Sequence, residues 1–323
     1  MDKNLHLESV IKTHQITKEE KLLNKHKEKN KEIKETLEQK YGENIYSPFN
    51  SGSYAKNTAI NTKFDFDLVS PFKRNAFGSN GTLKEMYEDV YNFLFEKYNK
   101  NGDTVLAQKV SIGITFFYDG DAVKIDVVPG REFNLNQYTV DNNLNLHVHK
   151  KYGNFEEGSE RIKTNIEAQI SNIKDRATNE KDSIRKIIRL LKVWKTTKGN
   201  YPTKSFFLEL ITIKAFDSKE IKGNLWEKLK SVLEHIRDNV KIEGFKLIDP
   251  GNRSNDLMDT LETWEREALS NDMKNMIESI DTNSENIKVY FPENPKFKVE
   301  EVYENNAKNS ATILSPKTFG INE

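Results

Sequence analysis

The 323-residue sequence contains no cysteine. Disulfide bonds, cysteine-based zinc modules and thiol catalysis are therefore excluded together. The sequence also lacks the run of ~18 apolar residues that a membrane helix needs, and its N-terminus lacks the apolar region of a secretory signal. We therefore expect a soluble, cytoplasmic protein that has no membrane partner.

Net charge is absent as well, because 50 Lys and Arg residues balance 50 Asp and Glu residues. No overall charge is available to drive strong nonspecific binding to nucleic acid, although a local basic groove is compatible with this composition. A chain of this length can bury a substantial core, as one large bilobed domain or as two domains.

Two short motifs lie close together between residues 52 and 67. Asp65 and Asp67 are separated by one residue, so in an extended segment their carboxylates would stand side by side and could hold one or two divalent cations. Upstream, Gly52-Ser53 predicts a turn whose N–H and hydroxyl groups suit a phosphate. Each motif alone is common at solvated strand ends and ordinary turns. Together they indicate a site that transfers nucleotides.

A third carboxylate strengthens this interpretation. Asp126 lies in a segment where Val123, Ile125 and Val127 alternate with other residues, which is typical of a strand. The alternation places Asp126 on the face opposite these apolar side chains. An aspartate within such a β-prone run lowers strand propensity, which favours a specific role. A site for two metal ions needs such a third ligand.

Periodicity predicts an α+β chain whose helices dominate the second half. Strands are predicted at 64–71, 105–118 and 121–128, with a hairpin turn at Asp119-Gly120. Capping and spacing predict helices at 17–41, 83–98, 162–173, 182–197, 205–216, 225–240 and 256–280. We expect a mixed sheet with helices in residues 1–160 and a helical lobe in residues 161–323.

The predicted helix at 182–197 carries basic residues at spacings of four and three. Arg185, Arg189 and Lys192 form this stripe, and Lys195 continues it. Such a stripe is most often a solvated face. Beside a metal site, it would neutralise the part of a triphosphate that the metal ions do not reach.

The start of the next predicted helix offers further candidates. Ser205 follows Pro202-Thr203-Lys204 and is a candidate N-cap, where a helix N-terminus would bind terminal phosphates or the serine would simply cap the helix. Phe206 or Phe207 could stack on a base, although aromatic residues in such a segment more often belong to the core.

In this order, the motifs resemble those of the DNA polymerase β-like nucleotidyltransferases. More closely, the chain is similar to the cGAS/DncV-like group, called CD-NTases, and to the related oligoadenylate synthetases. The resemblance spans roughly residues 45–260. The motifs that carry it are Gly52-Ser53, Asp65-x-Asp67, Asp126, Arg189-Leu-Leu-Lys-Val-Trp-Lys195, Ser205-Phe-Phe-Leu-Glu209 and Asp249-Pro-Gly-Asn-Arg-Ser-Asn255.

The resemblance implies a bilobed enzyme with its active site in the cleft. Residues 1–160 would form the catalytic core with its long N-terminal helix, and residues 161–323 a helical lobe of the oligoadenylate synthetase type that closes the cleft. The implied metal ligands and catalytic residues are Asp65, Asp67 and Asp126, which would bind two Mg²⁺ ions, with Mn²⁺ as an alternative. The implied nucleotide-binding residues are Gly52 and Ser53 at the β- and γ-phosphates, Lys192 and Ser205 at the triphosphate, and Phe206 at the nucleobase.

The resemblance also implies what the enzyme makes. It would join NTPs, ATP among them, into a cyclic di- or oligonucleotide second messenger with release of pyrophosphate, in bacterial anti-phage signalling (CBASS), and a downstream effector would recognise the product. The zinc insertion of the animal DNA sensor has no counterpart in a chain without cysteine, and no long basic face is evident. Double-stranded DNA is therefore not expected as an obligate activator.

Two alternatives stay open at this point. A different nucleotidyltransferase on the same core would share the three acids but would act on RNA ends or on a small-molecule acceptor. A protein that only binds a nucleotide or a partner would not need all three acids, which disfavours that interpretation. The choice of bases, the 2′–5′ or 3′–5′ linkage and the ring size depend on contacts that the sequence does not reveal.

Overall fold

The structure, a computed structural model, describes residues 1–62, 64–78, 81–118, 120–149, 161–199 and 201–298. It confirms the predicted α+β class. The strands are β1 (Phe49–Ser51), β2 (Phe66–Phe72), β3 (Thr104–Ala107), β4 (Ile112–Tyr118), β5 (Asp121–Glu132), β6 (Leu144–His147), β7 (Arg161–Thr164), β8 (Ile248–Asp249) and β9 (Asn252–Asp256). The helices are α1 (Lys3–Thr13), α2 (Glu20–Tyr41), α3 (Gly52–Ala55), α4 (Leu83–Tyr98), α5 (Tyr138–Asp141), α6 (Ile166–Lys174), α7 (Thr178–Thr197), α8 (Ser205–Ser218), α9 (Leu225–Asn239), α10 (Thr263–Thr282) and α11 (Ile287–Tyr290).

Strands β1 to β7 form one mixed sheet. Its main order is β1-β2-β5-β4-β3, in which β2 and β5 run parallel and the other neighbours run antiparallel. The far end of β5 pairs with β6, which in turn pairs with β7. Strands β8 and β9 form a separate antiparallel pair in the second half of the chain. The parallel pair β2 and β5 lies at the centre of the sheet and carries two of the predicted acids, Asp67 and Asp126.

The strand predictions hold for β2 and β5 with changes at the ends. Strand β2 begins at Phe66, so Asp65 precedes it, and β5 continues past Pro129 to Glu132. The single strand predicted at 105–118 is wrong, because a turn closed by the Gln108 N–H and the Ser111 carbonyl divides it into β3 and β4. Asp119 of the predicted hairpin turn lies outside the described residues.

The helix predictions are wrong mainly at three places. The helix predicted at 256–280 is α10, which starts only at Thr263, because Leu257–Thr260 forms a 3-10 helix instead. Helix α2 starts at Glu20 rather than residue 17, and a further helix, α1, precedes it without having been predicted. The predicted helix at 162–173 begins instead as strand β7, and α6 starts at Ile166, capped by the Asn165 side chain. Strand β7 has only four residues, and its one apolar residue, Ile162, also fits the spacing of the helix that follows, so spacing alone does not separate the two elements.

Buried apolar side chains form separate clusters at the sheet and among the helices of the second half. One cluster joins the sheet face carrying Phe66, Leu68, Ile125 and Val127 to α2 and α4. Another joins α7, α8, α9 and α10. Helix α1 belongs to this helical cluster through Leu7, Val10 and Ile11, although it precedes the sheet in sequence. Within the part of the chain that the structure describes, no helix is both long and apolar enough to cross a membrane.

Candidate active site

The register of the central strands brings two of the predicted acids together. Asp67 on β2 is the direct partner of Asp126 on the parallel strand β5. Their neighbours Phe66 and Ile125 are buried in the core beneath the sheet. Because side chains alternate along a strand, both carboxylates project from the opposite face, where the helical half lies.

The charges of the three acids interact strongly. Burial first, and then the nearby charges of Asp65 and Asp126, together raise the pKa of Asp67 to about 7, against the opposing effect of Lys56 and Lys192. Burial raises the pKa of Asp126 to about 6, again with a contribution from Asp65. Negative charge is thus concentrated in a partly desolvated place. A bound cation would relieve the repulsion among these carboxylates.

The predicted Gly-Ser turn lies directly against Asp67. Strand β1 pairs with β2 so that Ser51 is opposite Asp67, and α3 begins at the next residue, Gly52. Gly52 has a φ of +61°, and a Cβ at this position would lie 1.7 Å from Oδ2 of Asp67. Two independent features therefore require glycine at position 52: the left-handed backbone conformation and the close approach of the Asp67 carboxylate.

Asp126 has a supporting contact that sequence reasoning did not identify. The Gln108 side chain donates from Nε2 to Oδ1 of Asp126 at 3.1 Å. Gly113, the partner of Asp126 on β4, makes room for this bond, because a Cβ there would lie 2.3 Å from Gln108 Nε2. Gln108 lies in the turn between β3 and β4, which the prediction of one continuous strand concealed.

Two adjoining cavities open beside Asp65 and Asp67 among the described residues, and Asp126 lines neither of them. One, of about 370 Å³, is lined by Asp65, Asp67, Ser53, Lys192, Lys195 and Ser205, together with Ala59, Ile60, Thr196 and Gly199. The other, of about 280 Å³, is lined by Asp67, Gly52, Ser53, Lys56, Lys192, Ser205, Phe206 and Glu209, together with Ser51, Ile166 and Gln169. Ser53, Asp67, Lys192 and Ser205 line both, so the predicted residues from the two halves of the chain share one cleft.

Three predicted nucleotide-binding residues of the helical half, Lys192, Ser205 and Phe206, line the cleft. Burial lowers the pKa of Lys192 to about 8. Its ammonium donates to the carbonyl and hydroxyl oxygens of Thr58, at 2.9 and 3.2 Å. The N-cap assignment of Ser205 is wrong: Lys204 is the N-cap, and Ser205 is the first residue of α8. Phe206 is half-buried in the cavity wall, whereas Phe207 is part of the core.

Lys195, like Lys192, lines the larger cavity, but the two arginines of the basic stripe do not reach the cleft directly. Within the described residues, neither Arg185 nor Arg189 lines either cavity. Arg185 donates to the carbonyl of Lys56, and Arg189 donates to the carbonyl of Asn57. The stripe is therefore neither a solvated face nor, at these two positions, a lining of the cleft.

A buried ion pair connects the two halves beside the Gly-Ser turn. Lys56 Nζ donates to Oε1 of Glu209 at 2.5 Å, and the two side chains are 7% and 4% exposed. The same ammonium lies 4.9 Å from the centre of the Phe206 ring. The sequence contained a signal for Glu209 alone, which lies four residues after Ser205 on the same face of the helix, and no signal for its pairing with Lys56.

The segment at 249–255 also contributes to the cleft. Asp249 is buried and accepts hydrogen bonds from the Gly251 N–H, from Asn255 and from Gln169 Nε2 at 2.9 Å. Gln169 lines the smaller cavity. The motif that resembled a segment of the helical lobe therefore orients a polar side chain at the cleft.

The acids suit a divalent cation by their chemistry. Carboxylate oxygens are the ligands that Mg²⁺ and Mn²⁺ prefer, and mutual repulsion among three of them is relieved by bound positive charge. The side chains are not drawn together into a closed coordination shell, since no group of three or more His, Cys, Asp or Glu residues in the described ranges is arranged to hold a metal ion. Metal binding by Asp65, Asp67 and Asp126 stays a prediction.

Comparison with solved structures defines the class of fold. The chain has the fold of the cGAS/DncV-like nucleotidyltransferases, which confirms the resemblance at the level of fold. A scan against protein-family models and a search of curated proteins found no match.

Three structures illustrate the likeness. CdnC of E. coli MS115-1, in complex with HORMA-deltaN, is 20% identical, with a TM-score of 0.63 over 83% of this chain and 88% of that chain. The CdnE cyclic dinucleotide synthase of Elizabethkingia meningoseptica, with GTP and Apcpp, is 16% identical, with a TM-score of 0.58 over 80% and 98%. The Vibrio cholerae DncV cyclic AMP-GMP synthase, in complex with the linear intermediate 5′ pppA(3′,5′)pG, is 15% identical, with a TM-score of 0.60 over 79% and 70%.

Proposed function

We propose that this protein is a metal-dependent nucleotidyltransferase that joins NTPs, with release of pyrophosphate, into a cyclic di- or oligonucleotide. The observation that carries the proposal is the single cleft in which Asp65 and Asp67 meet Ser53 from one half and Lys192 and Ser205 from the other. We extend the proposal to a signalling role against phage, with an effector that recognises the product, because cyclic dinucleotide synthases share this fold.

The chemistry of each residue in the cleft suits it to a different role in the proposed reaction. Divalent cations held by Asp65, Asp67 and Asp126 would activate an acceptor hydroxyl and neutralise charge on the triphosphate and the departing pyrophosphate. The turn at Gly52-Ser53 offers N–H and hydroxyl donors to the terminal phosphates. Lys192 supplies a positive charge from the helical half, and Ser205 a hydroxyl.

The base would lie in the smaller cavity against Phe206. The half-buried ring lines that cavity, and Lys56 approaches it. Phe207 is in the core and is not available for stacking. The two adjoining cavities would thus take the phosphates and the base side by side, and positioning with charge neutralisation would supply most of the acceleration.

Incubation with NTPs alone tests this proposal. The purified protein, supplied with all four NTPs and with Mg²⁺ or Mn²⁺, is expected to release pyrophosphate and to form a product of two or more nucleotides, identified by mass spectrometry and nuclease digestion. Transfer that occurs only after addition of RNA or a small-molecule acceptor would instead support the alternative nucleotidyltransferase. Binding without any turnover would contradict an enzymatic role.

The close approach at Gly52 gives a first prediction. Gly52→Ala is expected to lower pyrophosphate release by about 100-fold, because the new methyl group displaces the Asp67 carboxylate and a shift of ~1 Å in a reacting group has an effect of this size. Initial rates at saturating NTP measure it.

Gly42→Ala is the matched control for backbone strain. Gly42 also has a positive φ, +52°, but a Cβ there would meet nothing within 4 Å. This control is expected to lose about 1 kcal/mol of unfolding free energy and to keep its activity. Equal activity of the two variants would show that the contact with Asp67 is not important.

The pKa of Lys192 gives a second prediction. A lysine with a pKa of about 8 loses its charge as the pH rises through that value, so ATP affinity is expected to fall about tenfold between pH 7 and pH 9. Lys192→Arg keeps its charge over this range and is expected to flatten the profile. Titration calorimetry measures both proteins, with adenosine as the ligand that lacks phosphates. An unchanged slope in the arginine variant would refute the assignment.

A further inference from the structure

The basic stripe of α7 binds the backbone of the segment that follows α3. Arg185 donates from Nε to the Lys56 carbonyl at 3.0 Å. Arg189 donates to the Asn57 carbonyl at 2.6 Å and to Asn57 Oδ1 at 2.9 Å. Lys192 donates to the Thr58 carbonyl at 2.9 Å. One face of α7 thus satisfies consecutive carbonyl oxygens of a segment more than 120 residues earlier in the chain.

This segment, residues 56–58, in turn supports the Gly-Ser turn. The N–H groups of residues 56, 57 and 58 donate to the carbonyls of Gly52, Tyr54 and Ser53, at 3.3, 3.0 and 2.9 Å respectively. Its amide groups therefore hold the turn while its carbonyl groups are held by α7. Both the N–H groups and the carbonyl groups of the segment make hydrogen bonds, and together these bonds fix the position of the turn relative to the helical half.

Asn57 shows that the segment has a constrained conformation. Its φ is +56°, a left-handed conformation that is uncommon for residues other than glycine. Arg189 contacts both its main-chain and side-chain oxygens, so one guanidinium stabilises this conformation at two atoms. A planar group with several donors suits such a double contact better than an ammonium does.

The arginines also bring positive charge without strong ionic partners. Asp182 approaches Arg185 only to 4.0 Å, and among the described residues Arg189 makes no ion pair. Two largely uncompensated charges therefore lie against segment 56–58, next to the turn, and they add to the positive field around it.

We propose that Arg185 and Arg189 are positioning residues, which act on a bound triphosphate through segment 56–58 and the Gly-Ser turn rather than by touching it. The ligand in this inference, a triphosphate, is taken from the proposed function, on which the inference therefore rests. It differs from the sequence-based interpretation, in which the stripe itself neutralises the triphosphate.

A double-mutant cycle between the stripe and the turn tests the proposal. Arg189→Met is expected to weaken binding of ATP and of inorganic tripolyphosphate about tenfold, and Arg185→Met less, because the turn loses its fixed position. In a Ser53→Ala background, where the turn has already lost its side-chain donor, Arg189→Met is expected to have an effect of threefold or less. Direct contact between Arg189 and the phosphates would instead give the same tenfold effect in both backgrounds and would overturn the proposal.

Lys186→Met on the same helix is the matched control. Lys186 binds Glu8 at the surface of the helical half and makes no contact with segment 56–58, so its loss removes one positive charge without releasing the turn. This variant is expected to bind both ligands as the unmodified protein does. Arg189→Lys is expected to recover part of the affinity, and urea unfolding of each variant separates misfolding from mispositioning.

Tripolyphosphate keeps this test separate from the proposed function. If Arg189→Met weakens tripolyphosphate binding in the predicted pattern but the protein forms no nucleotide product, the proposed function fails and the positioning role stands. If the unmodified protein does not bind tripolyphosphate, or if Arg189→Met binds it equally well, the positioning role is refuted whatever the protein makes.

Discussion

Replacing Asp67 by asparagine is expected to lower pyrophosphate release by a factor on the order of 10³, because the substitution removes a negative ligand charge at the reacting phosphate while keeping the side-chain volume. A pyrophosphate-coupled assay with saturating NTPs measures the loss. A variant that keeps a tenth or more of the rate would refute the assigned role of Asp67.

The same substitution is expected to stabilise the protein when no divalent cation is added. The pKa of Asp67 is raised from 3.8 to about 7. The folded state therefore binds this proton more tightly than the unfolded state, and stability is lost as the pH rises through 7. Asparagine carries no charge, so at pH 8 the unfolding free energy should rise by about 1–2 kcal/mol, after allowance for partial exposure, and the gain should shrink as the pH falls toward 4.

Asp121→Asn is the control for both effects. Asp121 begins strand β5, but its side chain is 52% exposed and makes a surface ion pair with Lys25 at 3.8 Å. Neither activity nor stability should change appreciably. The opposite signs expected for activity and stability at Asp67 distinguish a functional acid from a structural one, because loss of a structural acid would lower both.

Lys56→Met is expected to lower the unfolding free energy by about 3–5 kcal/mol, because it leaves the Glu209 carboxylate buried without its partner. The double variant Lys56→Met/Glu209→Leu removes both charges and should recover most of that loss. Urea unfolding at pH 7.5 measures the cycle. A loss below 1 kcal/mol in the single variant would show that Glu209 finds another partner or remains hydrated.

Lys84→Met provides the comparison with an exposed ion pair. Lys84 and Glu88 are one helical turn apart on α4, with an N–O distance of 3.6 Å and more than half of the lysine side chain exposed. Its loss should change the unfolding free energy by at most ~0.5 kcal/mol. The contrast would separate the effect of burial from that of removing a lysine.

The acids and their strands were predictable because their signals are local. Alternation identified β5 and placed Asp126 opposite its apolar residues, and the one-residue spacing drew attention to Asp65 and Asp67. The pairing of Asp67 with Asp126 was not predictable, because the parallel register of β2 and β5 depends on packing between segments about 60 residues apart.

The contacts between the two halves of the chain were not predictable either, because they also depend on segments that are far apart in the sequence. Arg185 and Arg189 have the spacing of a phosphate-binding or solvated stripe, and nothing local indicates that backbone carbonyls would be their partners. Carbonyl groups carry no sequence signal, since every residue has one. Lys56 and Glu209 were likewise separated by 153 positions, and only the fold brings them together.

Helix α1 has a consequence for how the chain folds during synthesis. Its contacts include a hydrogen bond from the Leu225 N–H to Asn4 and one between His6 and the Phe291 carbonyl, 221 and 285 positions apart. At 5–20 residues per second, these partners appear roughly 10–60 s after the helix itself. A fragment cut at the predicted boundary between 160 and 161 would never supply them, and we expect it to aggregate unless residues 1–13 are removed as well.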